Sequence, residues 1–138
     1  MEGVTNNFYL CTYEMLKPDI ENREAITELV NKFYSKVMND DIIGYIFKNI
    51  PGFTFEKHVP IMVSFWETLL FGTASYKGNP MEKHIQLNKL IPLEDKHFVQ
   101  WLALWAATIK ENFEGTIASQ AIQRSMNIAA IMQVKINS

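Results

Sequence analysis

The sequence is poor in several features that define whole classes of protein. Among its 138 residues there is one cysteine, Cys11, so no disulfide can form within the chain, which suits a reducing compartment such as the cytoplasm. The net charge is only −2 and no cluster of Lys or Arg occurs, so the electrostatic footprint of a nucleic-acid-binding protein is missing. No segment approaches the ~20 consecutive apolar residues of a membrane span. We therefore expect a cytoplasmic protein that engages neither nucleic acid nor membrane.

Catalytic motifs are equally scarce. The sequence contains no Gly-rich phosphate loop, no C-x-x-C pair and no H-E-x-x-H zinc motif. No carboxylate lies on the apolar face of a strongly periodic helix, so the paired acids of a glycosidase have no support. The side chains left for chemistry are the three histidines.

What the sequence does have is apolar and aromatic content, with 48% hydrophobic residues including 3 Trp, 5 Tyr and 9 Phe. This excludes disorder and is enough for the core of one domain. Apolar residues recur every three or four positions in four segments, and no strand-like alternation stands out. We predict an all-α domain over residues 18–138, preceded by an unassigned N-terminal extension over residues 1–17.

Local signals place the helices along the chain. Asp19 is the expected N-cap of the first helix, and Pro60 places the start of the second helix near Glu56 or Lys57. A third long helix follows Pro92, and the last one follows Gly115. Residues 81–87 are expected to form no more than a turn or two of helix.

Two of the histidines have unusual surroundings. His58 shares the apolar face of its helix with large hydrophobic residues, and His84 is flanked by apolar neighbours, whereas His97 is expected at the surface or as a helix cap. Taken singly, each is more typical of a structural histidine. Together, on an aromatic-rich helical domain, they are typical of a site for haem, which needs a neutral imidazole ligand and apolar walls. Tyr34 and Trp101 face inward on their helices, either as hydrogen-bond donors to a ligand or as ordinary core aromatics.

The order of these motifs resembles a known family. The residues that carry the resemblance are Phe33-Tyr34, Ile46-Phe47, Lys57-His58, Phe65-Trp66, Tyr76 to Met81 leading to His84, and His97 to Leu102. The chain resembles the group III truncated haemoglobins, a branch of the globins with the two-on-two helical fold, over about residues 19–135.

The resemblance implies a role for each matching residue. His84 would be the proximal iron ligand of haem b, held on a short, loop-like element. Tyr34, His58 and Trp101 would line the distal side, where ligands bind. The remaining pocket residues would be Phe33, Phe47, Met62, Phe65, Trp66, Ile85 and Phe98. Lys57, Lys83, Tyr76 and Arg124 are the candidates to bind the haem propionates.

Three functions stay open at this point. The first is a monomeric haem protein that binds O2, NO or CO, with Tyr34 and Trp101 slowing O2 release. The second is a nitric oxide dioxygenase or a peroxidase-like enzyme, which would need a separate reductase as partner because the chain contains no electron-transfer module. The third is a cofactor-free helical module that uses its apolar faces for a protein partner.

Overall fold

A computed structural model describes residues 16–138 of the chain, so Cys11 and most of the predicted N-terminal extension lie outside the described residues. Within that range all the regular secondary structure is helical and there is no strand, which confirms the predicted all-α class. The six helices are α1 (Arg23–Met38), α2 (Gly44–Lys48), α3 (Phe55–Phe71), α4 (Pro80–Leu90), α5 (Asp95–Asn112) and α6 (Thr116–Asn137). No helix among the described residues is both long and apolar enough to cross a membrane.

The four long helices form two packed pairs. Helix α1 packs against α3, α5 packs against α6, and the two pairs meet through the contacts of α1 with α5 and of α3 with α6. This is the two-on-two arrangement of the expected globin-like fold. The short α2 contacts α1, and α4 contacts α6.

The N-cap of α1 differs from the prediction. Asn22, not Asp19, caps α1, because its side chain accepts a hydrogen bond from the Ala25 backbone N–H at 2.9 Å. The Asp19 carboxylate instead accepts from Ile117 N and Ala118 N, in the first turn of α6. Asp19 therefore acts as the cap of a helix almost 100 residues away, which no local pattern could indicate.

Helix α3 begins slightly earlier than predicted and continues through its proline. Thr54 is the N-cap and accepts from Lys57 N, so the helix starts at Phe55 and Pro60 is its sixth residue rather than part of the first turn. His58 is the fourth residue of the helix, in its first turn as expected. Within this α-helix the missing N–H of Pro60 removes one interior hydrogen bond.

Helix α4 is longer than the predicted turn or two. It has 11 residues, begins with Pro80 at a first-turn position and is capped by Asn79, whose side chain accepts from Glu82 N. None of its residues is fully buried, so it lacks the strong apolar stripe that marks the other helices. The expectation that His84 sits on a loop-like element was therefore wrong.

The core contains all three tryptophans in one stack. Trp66 and Trp105 stack with ring centroids 4.6 Å apart, and Trp101 lies parallel to Trp105 at 6.2 Å. Phe33 packs edge-on against both Trp101 and Trp105. The stack joins the interior of the fold to the cavity described next, because Trp66 and Trp101 both contribute to the cavity wall.

Candidate functional site

A cavity of about 310 Å³ opens among the helices, at the lower end of the range for small-molecule and cofactor sites. Its wall is mostly apolar. The residues of the predicted site that line it are Tyr34, Phe47, His58, Met62, Phe65, Trp66, His84, Phe98 and Trp101. The structure thus brings together side chains from five helices that are as far as 67 positions apart in sequence.

Two predicted pocket residues do not line the cavity. Phe33 is buried behind it, against Trp101 and Trp105, and Ile85 is half-buried elsewhere on α4. Each is the immediate neighbour of a lining residue, Tyr34 or His84. Since an α-helix turns about 100° per residue, adjacent side chains point in different directions.

His84 has one ring nitrogen engaged and the other available. Its Nδ1–H donates to the backbone carbonyl of Pro80 at 2.6 Å, which fixes the tautomer with the lone pair on Nε2. Nε2 makes no hydrogen bond with the part of the chain that the structure describes. Burial lowers the pKa of His84 and outweighs the opposing effect of the Pro80 hydrogen bond, so the imidazole is neutral at pH 7. A neutral imidazole held this way is suited to bind a metal.

Tyr34 and His58 form a hydrogen-bonded pair in the same cavity. The Tyr34 hydroxyl lies 2.7 Å from His58 Nε2. Burial lowers the pKa of His58 to about 4, with smaller electrostatic contributions from the neighbouring titratable groups His84 and Lys83, while burial raises the pKa of Tyr34. Both groups are therefore neutral at pH 7. When His58 Nε2–H is the donor, the Tyr34 O–H is free to donate to a third group.

Trp101 offers a second donor. Its indole N–H makes no hydrogen bond with the described residues, whereas the neighbouring Trp105 Nε1–H donates to the backbone carbonyl of Ala121 at 3.3 Å. No fully buried side-chain nitrogen or oxygen in the described residues lacks a partner. The Trp101 N–H is thus accessible, and Trp101 lines the cavity.

His97 is a helix cap, as one of the two expectations had it, but it is not at the surface. Only 4% of the residue is exposed. Its Nδ1 accepts from Glu94 N at the start of α5, so Nε2–H donates to the Tyr45 hydroxyl at 2.9 Å. The side chains of Glu94 and His97 thus form a capping box at the start of α5.

Several lining residues were not assigned to the cavity from the sequence. Phe53 lies in the turn before α3 and Leu87 on α4, and both line the wall. Of the four propionate candidates, Lys83 and Tyr76 line the cavity, whereas Lys57 and Arg124 do not.

Comparisons with known proteins agree with this geometry. A sequence model of the bacterial-like globin family matches residues 18–135. The group 3 truncated haemoglobin ctb of Campylobacter jejuni is 31% identical over 121 residues, which cover 86% of this chain and 93% of that protein. The crystal structure of a group III truncated haemoglobin from the same organism matches with a TM-score of 0.79 at 29% identity, covering 88% of this chain and 95% of that one. The chain therefore belongs to the bacterial-like globin family, and within it to the group III truncated haemoglobins.

Proposed function

We propose that this protein binds haem b in the cavity, where His84 Nε2 would hold the iron, and that it binds O2 or another diatomic ligand there. The observation that carries the proposal is the state of His84, which is neutral, held by Pro80 through Nδ1 and free at Nε2 on the wall of an apolar cavity. A bound haem iron supplies a coordination site for a diatomic ligand.

The composition of the cavity wall supports the proposal. Phe47, Met62, Phe65 and Phe98 are apolar and suited to contact a macrocycle and exclude water. Lys83 carries the cation, and Tyr76 the hydroxyl, that a propionate group needs. The residues present therefore fit haem.

The polar groups of the distal side act as donors. The Tyr34 O–H, when His58 donates to its oxygen, and the Trp101 N–H can both donate to a polarised diatomic ligand. In a cavity of low dielectric constant such hydrogen bonds are stronger than in water. O2 becomes more polarised than CO on binding, so these donors slow the dissociation of O2 more than that of CO. Slow O2 release suits ligand capture, sensing or redox chemistry better than transport.

The test is reconstitution with haemin. Binding is monitored by the Soret absorption of the haemin and by quenching of the fluorescence of the three stacked tryptophans. Wild-type protein should bind one haemin, shift the Soret band and lose the fluorescence of all three tryptophans. His84→Ala should weaken binding and abolish the imidazole-ligated spectrum. Gln86→Ala, an exposed change on the same helix, is the matched control and should behave as wild type.

Two results would contradict the proposal. If the wild type gives no Soret shift, haem is not the cofactor, and the cofactor-free interaction module becomes the better hypothesis. If His84→Ala keeps the wild-type spectrum and affinity, haem is bound but through another residue.

An enzymatic role is the second candidate, supported by the neutral His58. His58 lines the cavity beside the Tyr34 hydroxyl and is unprotonated at pH 7, so it offers a ring nitrogen that can accept a proton from a peroxide, although a pKa of about 4 makes it a weak base. Stopped-flow mixing of the oxygenated protein with NO, and assays of peroxide-dependent oxidation of an added reductant, separate the two roles. Repeated turnover would need an external reductase, whereas a binding protein would react at most once.

A further inference from the structure

One hydrogen bond closes the turn before α3, and a second one begins the helix. The Phe53 N–H donates to the Ile50 carbonyl at 3.2 Å, and the His58 N–H donates to the Thr54 carbonyl at 3.0 Å. Gly52 has φ +72°, a conformation that glycine adopts without strain. This geometry makes Phe53 the residue immediately before the N-cap and His58 the fourth residue of the helix.

Those two positions form a hydrophobic staple, in which the residue before the cap packs on the fourth helical residue. The Phe53 and His58 rings are in contact, with centroids 5.0 Å apart and planes at 53°. The His58 ring also contacts the Tyr34 ring at 5.1 Å and is bonded to its hydroxyl. The apolar staple and the polar pair therefore share one imidazole.

Phe53 is itself held in place. Its ring contacts Phe55 at 5.0 Å and Phe47 at 5.5 Å, and both of those rings in turn contact the Tyr34 ring. His58, like Phe53, is half-buried, and its Nδ1 makes no hydrogen bond with the described residues. Two rings therefore pack on the imidazole, that of Tyr34, which is also its hydrogen-bond partner, and that of Phe53.

We propose that Phe53 is a positioning residue that holds His58 against Tyr34 through this staple. Phe53 thereby sets how often the His58 imidazole leaves the cavity and how fast a ligand enters. This effect on ligand entry rests on the ligand-binding function proposed above. Phe53 also lines the cavity wall, but its effect on ligand entry acts through His58.

A double-mutant cycle separates those two ways of acting. We would measure CO association after flash photolysis for wild type, Phe53→Ala, His58→Ala and the double variant. Aromatic contacts of this kind shift an equilibrium by roughly two- to tenfold, so Phe53→Ala should raise the rate by about that factor. In the His58→Ala background the same change should have no effect. An equal rise in both backgrounds, or no rise in either, overturns the proposal.

Two further variants and a second readout keep the test independent of folding and of haem. Phe53→Leu keeps an apolar staple and should restore the wild-type rate. Gly52→Ala strains the turn while its added methyl group meets no atom, and should raise the rate in the same direction. NMR contacts between the His58 and Tyr34 rings should weaken in Phe53→Ala and keep their wild-type intensity in Phe53→Leu. If no haem binds, the proposed function fails, yet these NMR contacts still decide the role of Phe53, and contacts of wild-type intensity in Phe53→Ala refute it.

Discussion

Replacing Asp19 by Ala should destabilise the start of α6, although the two are far apart in sequence. The Asp19 carboxylate accepts from Ala118 N at 2.8 Å and from Ile117 N at 3.0 Å. These are first-turn N–H groups that have no partner inside the helix. The residue at the cap position, Gly115, has no side chain to take the place of Asp19. Without the carboxylate, both donors lose their acceptor.

The cost can be worked from these two bonds. Loss of an N-cap costs about 0.5–2 kcal/mol, and hydrogen bonds to a charged group contribute about 1.5–3 kcal/mol each when buried. Because Asp19 is partly exposed, water replaces part of the loss, and we expect a decrease of about 2 kcal/mol. For a domain of this length that lowers Tm by about 6–8 °C.

The effect should depend on pH in a defined direction. Burial raises the pKa of Asp19, but the backbone N–H groups of Ile117, Ala118 and Ile20 together outweigh it, so the folded-state pKa lies below the usual value. A carboxyl group with a lowered pKa stabilises the fold fully above its unfolded pKa of about 3.9, and this contribution is lost as pH falls through the folded value. The difference between Asp19→Ala and wild type should be constant from about pH 7 to 5 and shrink below about pH 4.

Urea unfolding of both proteins at several pH values measures this difference. Asp19→Asn keeps one acceptor without the charge and should lose about half as much stability as Asp19→Ala. The reasoning fails if Asp19→Ala stays within about 0.5 kcal/mol of wild type at pH 7, the usual range for a surface change. It also fails if the difference does not shrink in acid.

Three other substitutions test the site and the fold. Tyr34→Phe removes a donor and should accelerate O2 dissociation about tenfold while changing CO dissociation much less; stopped-flow ligand replacement measures both, and an unchanged O2 rate would sink the donor role. Trp101→Phe keeps a ring but loses the N–H, and the same assay should show faster O2 release; a rate equal to wild type would mean that this N–H does not reach the ligand. Gly115→Ala forces a side chain into φ +135° and against the Asp19 carboxylate, so the free energy of unfolding should fall by about 1–3 kcal/mol, and equal stability in urea would contradict the strain.

The long helices could be predicted because each has an apolar stripe against the core. Ile26, Leu29 and Val30 in α1, for example, are fully buried at the spacing that predicted them. The length of α4 was underestimated because this helix has no such stripe, although Asn79-Pro80 is an ordinary cap and first-turn pair.

The candidate site was predictable in kind more than in detail. Helical periodicity placed Tyr34, His58 and Trp101 on inward faces, and all three line the cavity. Periodicity could not separate Tyr34 from its neighbour Phe33, since the choice of which one meets the cavity depends on how α1 is rotated against α5. Nor could it find Phe53, whose place follows from a turn and not from a helix face. The roles of these residues toward haem stay predictions.

Helix α4 presents His84 while contributing little to the core. None of its side chains is fully buried, and among the described helices it packs only against α6. Segments with few buried apolar contacts open at a small fraction of the global unfolding free energy, so we expect the amide hydrogens of α4 to exchange with solvent faster than those of α1 or α5. A group that fills the cavity and bonds to His84 would supply the contacts that α4 lacks. Much of its binding energy would then go into ordering this one helix, and the slowing of amide exchange there would record occupancy of the cavity.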